Sequence, residues 1–405
     1  MSRLRVIALL LFLLAGTVPA QWVNTNCPGG GLITCFAVID TQLVAGNDGT
    51  GVYRSRAGGA GWTALDSGLT NTYIRALLAS DTILFAGTEG SGVFRSTNDG
   101  VSWTKADSGM KNAYVQALAG AGANLFAGTW DDGVFRSTDG GASWRAVNTG
   151  LANTDVQSLL VNGAYLFAGT NGGGIFRSTN NGASWANADS GLTNPDVWTM
   201  AVAGTNLLAG AWDGGIYRST DSGASWTAVD SGLTNNNVRA FAVADTMIFA
   251  GTNGGGVYMS REGGSVWTAA DTGLTTDNIW SLAVVGGYIY AGTYGMGIWR
   301  RSVSEMLRPV RPFAAGLPEA FRLEQNYPNP FNPATTIRYS LPRRTEVRVK
   351  VYDVLGREVA SLVDAAEPAG EHSVRWDAGE LPSGMYFCRM VAGGFTGTKK
   401  MAVIR

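Results

Sequence analysis

The chain has one histidine and three cysteines among 405 residues, and 15% of its residues are charged, where about 25% is usual. Because the histidine, His372, comes late in the sequence, Ser-His-Asp chemistry and histidine-ligated metals are excluded from the first 371 positions. The cysteines, Cys27, Cys35 and Cys388, are too few for a disulfide scaffold, and no Cys/His cluster has zinc spacing. Lys and Arg number 30 against 31 Asp and Glu, so no footprint for nucleic acid or an anionic membrane stands out. No metal and no cofactor is expected. What is abundant is glycine, 56 residues, together with 13 Trp in a composition that is 45% hydrophobic. That content is too apolar for a disordered chain. It predicts many short strands and tight turns.

Arg3 and Arg5 precede an apolar run over 6–15, and Val18-Pro19-Ala20 offers small residues before a cut. This layout predicts a secretory signal peptide over 1–20, removed before Gln21. The run is short for a bilayer span, and no cysteine follows the cut to carry a lipid. No transmembrane segment is expected after cleavage. An oxidising compartment follows, in which Cys27 and Cys35 can pair across a short loop. The alternative is that Cys35 stays single, because it falls on a strand position that carries small buried residues in the other copies.

Residues 21–303 repeat one motif. Trp62, Trp103, Trp144, Trp185, Trp226 and Trp267 are each 41 residues apart, as are Gly46, Gly87, Gly128, Gly169, Gly210, Gly251 and Gly292. Each copy reads as four strands, in the second copy 74–79, 83–88, 92–97 and 102–106. A 41-residue period with four strands per unit predicts an all-β, seven-bladed β-propeller. The fourth strand occurs only six times before the last copy ends. The stretch beginning Gln21-Trp22-Val23 resembles Trp144-Arg145-Ala146, so an N-terminal strand is expected to close the seventh blade and remove an open edge.

Two positions per copy vary while their neighbours stay fixed. One, in the first strand, holds Thr34, Arg75, Gln116, Gln157, Trp198, Arg239 and Trp280; the other, between strands two and three, holds Asp48, Glu89, Trp130, Asn171, Trp212, Asn253 and Tyr294. Strand order puts both on the face opposite the turns that precede each Trp. The expected ligand-binding residues are Arg75, Glu89, Trp130, Trp198, Trp212, Arg239, Trp280 and Tyr294, since aromatic faces stack on sugars while carboxylates and amides bond hydroxyls. Asp131 and Asp213 follow two of the Trp residues and are the candidates for a catalytic carboxylate pair.

The turn before each Trp carries a second signal. Ser137-Thr138-Asp139-Gly140-Gly141-Ala142-Ser143-Trp144 and the matching stretch with Ser219, Asp221, Gly223 and Trp226 resemble the Asp-box of BNR-repeat propellers. The resemblance implies a hairpin turn in which Ser and the acid cap backbone N–H groups. Asn98, Asn180, Glu262 and Ala57 replace the acid without loss of register, which favours a structural role over a metal or catalytic one. Sialidases, xyloglucan-cleaving glycosidases and non-catalytic photosystem-assembly factors share this repeat. The sialidase arginine cluster and its nucleophile pair are not matched here.

Residues 304–320 break the period with Pro309, Pro312 and Pro318, and read as a linker. From 321 to 405 strands are expected at 336–341, 346–352, 371–376, 384–390 and 398–404, a small immunoglobulin-like β-sandwich. Asn326-Tyr327-Pro328-Asn329-Pro330, Val351-Tyr352-Asp353-Val354-Leu355-Gly356-Arg357 and Leu381-Pro382-Ser383-Gly384 resemble the type A C-terminal sorting domain of type IX secretion substrates. That resemblance implies the secretion machinery as partner and a destination outside a Gram-negative cell, secreted or held at its surface. A monomeric ring is expected to bind an extracellular glycan or protein without chemistry; a glycoside hydrolase with paired carboxylates is the second reading, and a purely structural surface or assembly protein the third.

Overall fold

The computed structural model describes residues 21–405 apart from 56, 60, 111–113, 262, 308–317, 319, 380 and 405. The expected signal peptide and most of the linker lie outside the described residues. The chain divides into two compact units after Leu307.

The first unit is a closed ring of seven antiparallel blades. The second blade is representative: Ile74–Ser80, Ile83–Thr88, Gly92–Ser96 and Thr104–Lys105 lie side by side in chain order. The first strands of successive blades touch in a cycle that returns from Ile279–Val285 to Gly31–Ile39, so these strands surround the axis. The seventh blade completes itself with the chain's beginning. Val23 pairs with Arg300 and Asn24 with Trp299, and Gly31 and Leu32 pair with Gly295 and Tyr294 across the same seam.

Two contacts recur around the ring and explain the fixed register. A Cβ on Gly87 would lie 2.6 Å from Cγ1 of Val115 in the next blade, and one on Gly128 would meet Val156 at the same distance. The contact closes the cycle too, with Gly292 against Ile33 of the first blade at 2.6 Å. Glycine is required here for close approach of blades, so each 41-residue step carries a contact that no larger side chain allows. The second contact is an indole hydrogen bond to the preceding blade. Trp103 Nε1 donates to Leu65 O at 2.8 Å, Trp144 to Ala106 O at 2.8 Å, and Trp22 to Ala270 O at 2.7 Å. Trp62 departs from the pattern and donates to the Thr25 hydroxyl at 3.0 Å.

The Ser-x-Asp-x-Gly turn is a self-contained hydrogen-bond knot. The Ser137 hydroxyl donates to Asp139 Oδ1 at 2.7 Å and accepts from Gly141 N at 2.9 Å, while Ser143 donates to Asp139 through both its N–H and its hydroxyl. These bonds, led by that of the Ser143 hydroxyl, hold the Asp139 carboxyl down to about 2. Asn98 and Asn180 reproduce the knot, because Oδ1 accepts from Ser102 N or Ser184 N while Nδ2 donates to the same serine's hydroxyl. An amide can therefore replace the acid.

Cys27 and Cys35 do not form the disulfide that the sequence allowed; both are free thiols. Cys27 packs toward the seventh blade with Tyr290 and Ile298, whereas Cys35 packs toward the second with Ile74 and Leu77. The two thiols therefore sit against different hydrophobic clusters. Burial pushes the Cys35 thiol up to about 12.

The second unit is a sandwich of two antiparallel sheets. One orders Arg322–Leu323, Ala334–Leu341 and Gly370–Asp377; the other orders Glu358–Glu367, Thr345–Tyr352, Gly384–Ala392 and Phe395–Val403. Val347, Val349, Val351, Met390 and Trp376 fill the space between them. Cys388 is buried among them. Strand Glu358–Glu367 has no counterpart among the strands expected from sequence. Its pairing slips twice, at Val349/Lys350 and Val351/Tyr352, which breaks the alternation that would have marked it.

Candidate ligand site on the ring axis

Every first strand contains a β-bulge at the same place. In the second blade Ile74 pairs with Thr88 and Ala76 with Gly87, leaving Arg75 without a partner across the ladder. The same shift leaves out Thr34, Gln116, Gln157, Trp198, Arg239 and Trp280. A bulge inserts one residue and re-aims its side chain. All seven of these side chains line one cavity of about 300 Å³, together with Trp130, Asp155 and Asn171. Because one residue comes from each innermost strand, the cavity lies on the ring axis.

The second variable set is anchored by its backbone. The N–H of Asp48, Glu89, Trp130, Asn171, Trp212, Asn253 and Tyr294 donates in each case to the carbonyl two residues before the bulged one: Leu32, Tyr73, Tyr114, Asp155, Asp196, Asn237 and Asn278. These side chains can differ without altering the loop. Trp130 is 47% exposed, with the edge of Tyr114 against it at 6.2 Å. Tyr294 is 60% exposed and is not part of the cavity lining.

The two arginines at the bulge position sit in opposite surroundings. Arg75 is bracketed by carboxylates: Nε donates to Glu89 Oε2 at 2.7 Å, and Nη2 lies 3.4 Å from Asp48 Oδ2. Desolvation raises the Asp48 carboxyl, against the pull of Arg75. Arg239 instead lies in an aromatic cage, its guanidinium carbon 3.8 Å from the Trp198 ring centre, 4.1 Å from Trp280 and 4.4 Å from Trp212. Burial first, and the like charge of Arg75 second, pulls Arg239 down to about 10, so it remains a cation at neutral pH.

Asp155, which sequence reasoning did not single out, is the one acid in the cavity lining. It accepts from the Gln157 amide, and from Asn171 Nδ2 at 2.9 Å. Its signal was available: it lies immediately before the first strand, at a position that steps by 41 and varies from Leu32 to Asn278. Asp131 and Asp213 are not in the lining. Both hold left-handed backbone, φ 80° and 54°, in the turn after a Trp, a conformation Asp tolerates better than most residues. Among the described residues no group of three His, Cys, Asp or Glu could hold a metal ion.

The secretion system C-terminal sorting domain family matches residues 325–404. No curated protein sequence matches the chain significantly. Among solved structures, YCF48 bound to D1 peptide is 17% identical with a TM-score of 0.58, covering 71% of this chain and 98% of that one. The GH74 xyloglucanase from Xanthomonas campestris is 20% identical with a TM-score of 0.56, over 80% of this chain and 60% of that one. PorZ, a surface component of the type IX secretion system of Porphyromonas gingivalis, is 17% identical with a TM-score of 0.50, over 91% of this chain and 59% of that one. At these identities the likeness is one of fold. Among the described residues no helix is long and apolar enough to cross a membrane. Residues 325–404 are a secretion system C-terminal sorting domain, and the chain is a seven-bladed β-propeller that this domain directs through type IX secretion to the surface of a Gram-negative cell or beyond it.

Proposed function

We propose that the exported ring is a binding module that takes a glycan or protein segment in its axial cavity and performs no chemistry on it. The observation that carries this reading is the convergence of seven bulged side chains, each from a different blade, on one concave site. A cavity of about 300 Å³ is at the small end of ligand pockets, and its mixture of Trp, Gln, Asn and Arg suits stacking and hydrogen bonding. Hydrolysis of a glycosidic bond needs two carboxylates about 5 to 10 Å apart. Asp155 alone supplies one in the lining.

The test is a panel of plant, algal and bacterial polysaccharides and extracellular proteins, with binding and released reducing ends recorded together on the purified chain. Binding without release, weakened at least tenfold by Trp130→Ala, is the expected result. Release of sugar abolished by Asp155→Asn, Asp131→Asn or Asp213→Asn would overturn it in favour of a hydrolase.

A further inference from the structure

The cavity is electrostatically lopsided. In the sector of the first and second blades, Arg75 is already neutralised by Asp48 and Glu89. In the sector of the fifth to seventh blades, Arg239 makes no ion pair and no hydrogen bond among the described residues, and its only partners are the faces of three Trp rings. The polar atoms left without partners there are all donors: Arg239 Nε, Trp198 Nε1 and Trp280 Nε1. A half-buried cation with donor-only surroundings is a site waiting for an acceptor carrying negative charge. The indole walls also fix the guanidinium plane, so little side-chain freedom is lost when an oxyanion meets its terminal nitrogens.

We infer that the cavity takes an anionic saccharide whose carboxylate or sulfate is held by Arg239. This rests on the axial cavity being the binding site. A saccharide is favoured over other anions because the rest of the lining is built for hydroxyls and ring faces: Gln116, Gln157, Asn171 and the half-exposed face of Trp130. Carboxylate and sulfate share the planar or near-planar pair of oxygens that a guanidinium fork accepts.

The test titrates the purified full chain with galacturonate oligomers, sulfated galactan oligomers, the methyl-esterified galacturonate oligomers and neutral xyloglucan oligomers, following Trp fluorescence and heat. Binding of a charged oligomer, at least tenfold weaker after esterification or desulfation, is the expected result, and which of the two binds identifies the oxyanion. Arg239→Met should reduce that binding by the same factor while its melting curve shows it folded; the esterified ligand tests the point on the unaltered protein. Equal affinity for charged and neutral oligomers would overturn the inference and leave the cavity standing as a binding site. Failure of every saccharide would overturn it too, and if extracellular proteins also failed to bind, the binding-module reading would fall with it. Binding of a peptide that is lost on amidating its C-terminus, with no saccharide bound, would assign Arg239 to a protein partner instead.

Discussion

Closure of the ring by the chain's own beginning can be tested at one residue, Trp22. Its side chain is 3% exposed, packs with Met247, Phe249, Ile279 and Trp299, and donates its indole N–H to Ala270 O at 2.7 Å. Truncating a buried Trp to Ala costs about 3–5 kcal/mol. For a domain of this size each kcal/mol moves the midpoint by about 2–4 °C, so Trp22→Ala should melt about 6–20 °C below the parent. Trp144→Ala provides the internal standard, since Trp144 is 4% exposed and bonds Ala106 O at 2.8 Å from the middle of the ring. The two variants should fall together, read by Trp fluorescence, to which the sorting domain contributes only Trp376. If Trp22→Ala melts within about 1 °C of the parent while Trp144→Ala falls, as a surface substitution would, the N-terminal strand is not the lock of the ring.

The close approach between blades predicts that Gly128→Ala destabilises by about 1–3 kcal/mol, as overpacking does, because the new Cβ would sit 2.6 Å from Val156 Cγ1. The double variant with Val156→Ala should show a favourable coupling in a denaturant-unfolding cycle; simple additivity would refute the contact. In the Ser-x-Asp-x-Gly turn, Ser137→Ala leaves the buried Gly141 N–H unmet and should cost about 1–3 kcal/mol, whereas Asp139→Asn should be nearly silent, as Asn98 and Asn180 already are in the same knot. Asp139 and Asp221 are both held below the usual carboxylate range by hydrogen bonds, first of all from Ser143 and Ser225. A depressed folded value stabilises fully above the unfolded one and is lost as pH falls through the folded one. Their contribution is therefore whole above about pH 4 and fades toward pH 2, and replacing both by Asn should flatten the stability profile over that window. An unchanged acid limb would refute this account.

The register, the seven blades and the split last blade were legible because each is a matter of spacing: a Trp, a glycine and an apolar residue recur every 41 positions, and each has one steric cause. The bulge was not legible. Val115-Gln116-Ala117 reads as an ordinary alternating strand, and the slip appears only when both sides of the ladder are seen. What the sequence did show is that this position varies between fixed neighbours, which led to the cavity without its cause. Asp155 escaped because it lies one residue outside the strand Val156–Asn162, where strand alternation gives no direction to a side chain. Strand Glu358–Glu367 escaped because its exposed edge position and double slip leave no clean period.

The two variable sets make a coherent site because they complement each other across blades. Arg75 and Arg239 occupy the same backbone position four blades apart, and their neighbours decide what each is for. Asp48 of the first blade and Glu89 of the second more than neutralise Arg75, leaving that cluster net negative. Trp198 and Trp212 of the fifth blade and Trp280 of the seventh hold Arg239 from both sides while leaving its charge unmet. Independent drift at seven equivalent loops would leave charges scattered against water, where exposed pairs add little. Carboxylates gathered on one arginine and indoles on the other instead divide the axial cavity into a sector of net negative charge and a sector of net positive charge. The backbone tolerates this division because the bulged residue is outside the ladder and each loop residue is tied only through its N–H. Changing the lining of the cavity therefore takes side-chain changes at these two positions per blade and leaves the 41-residue period untouched.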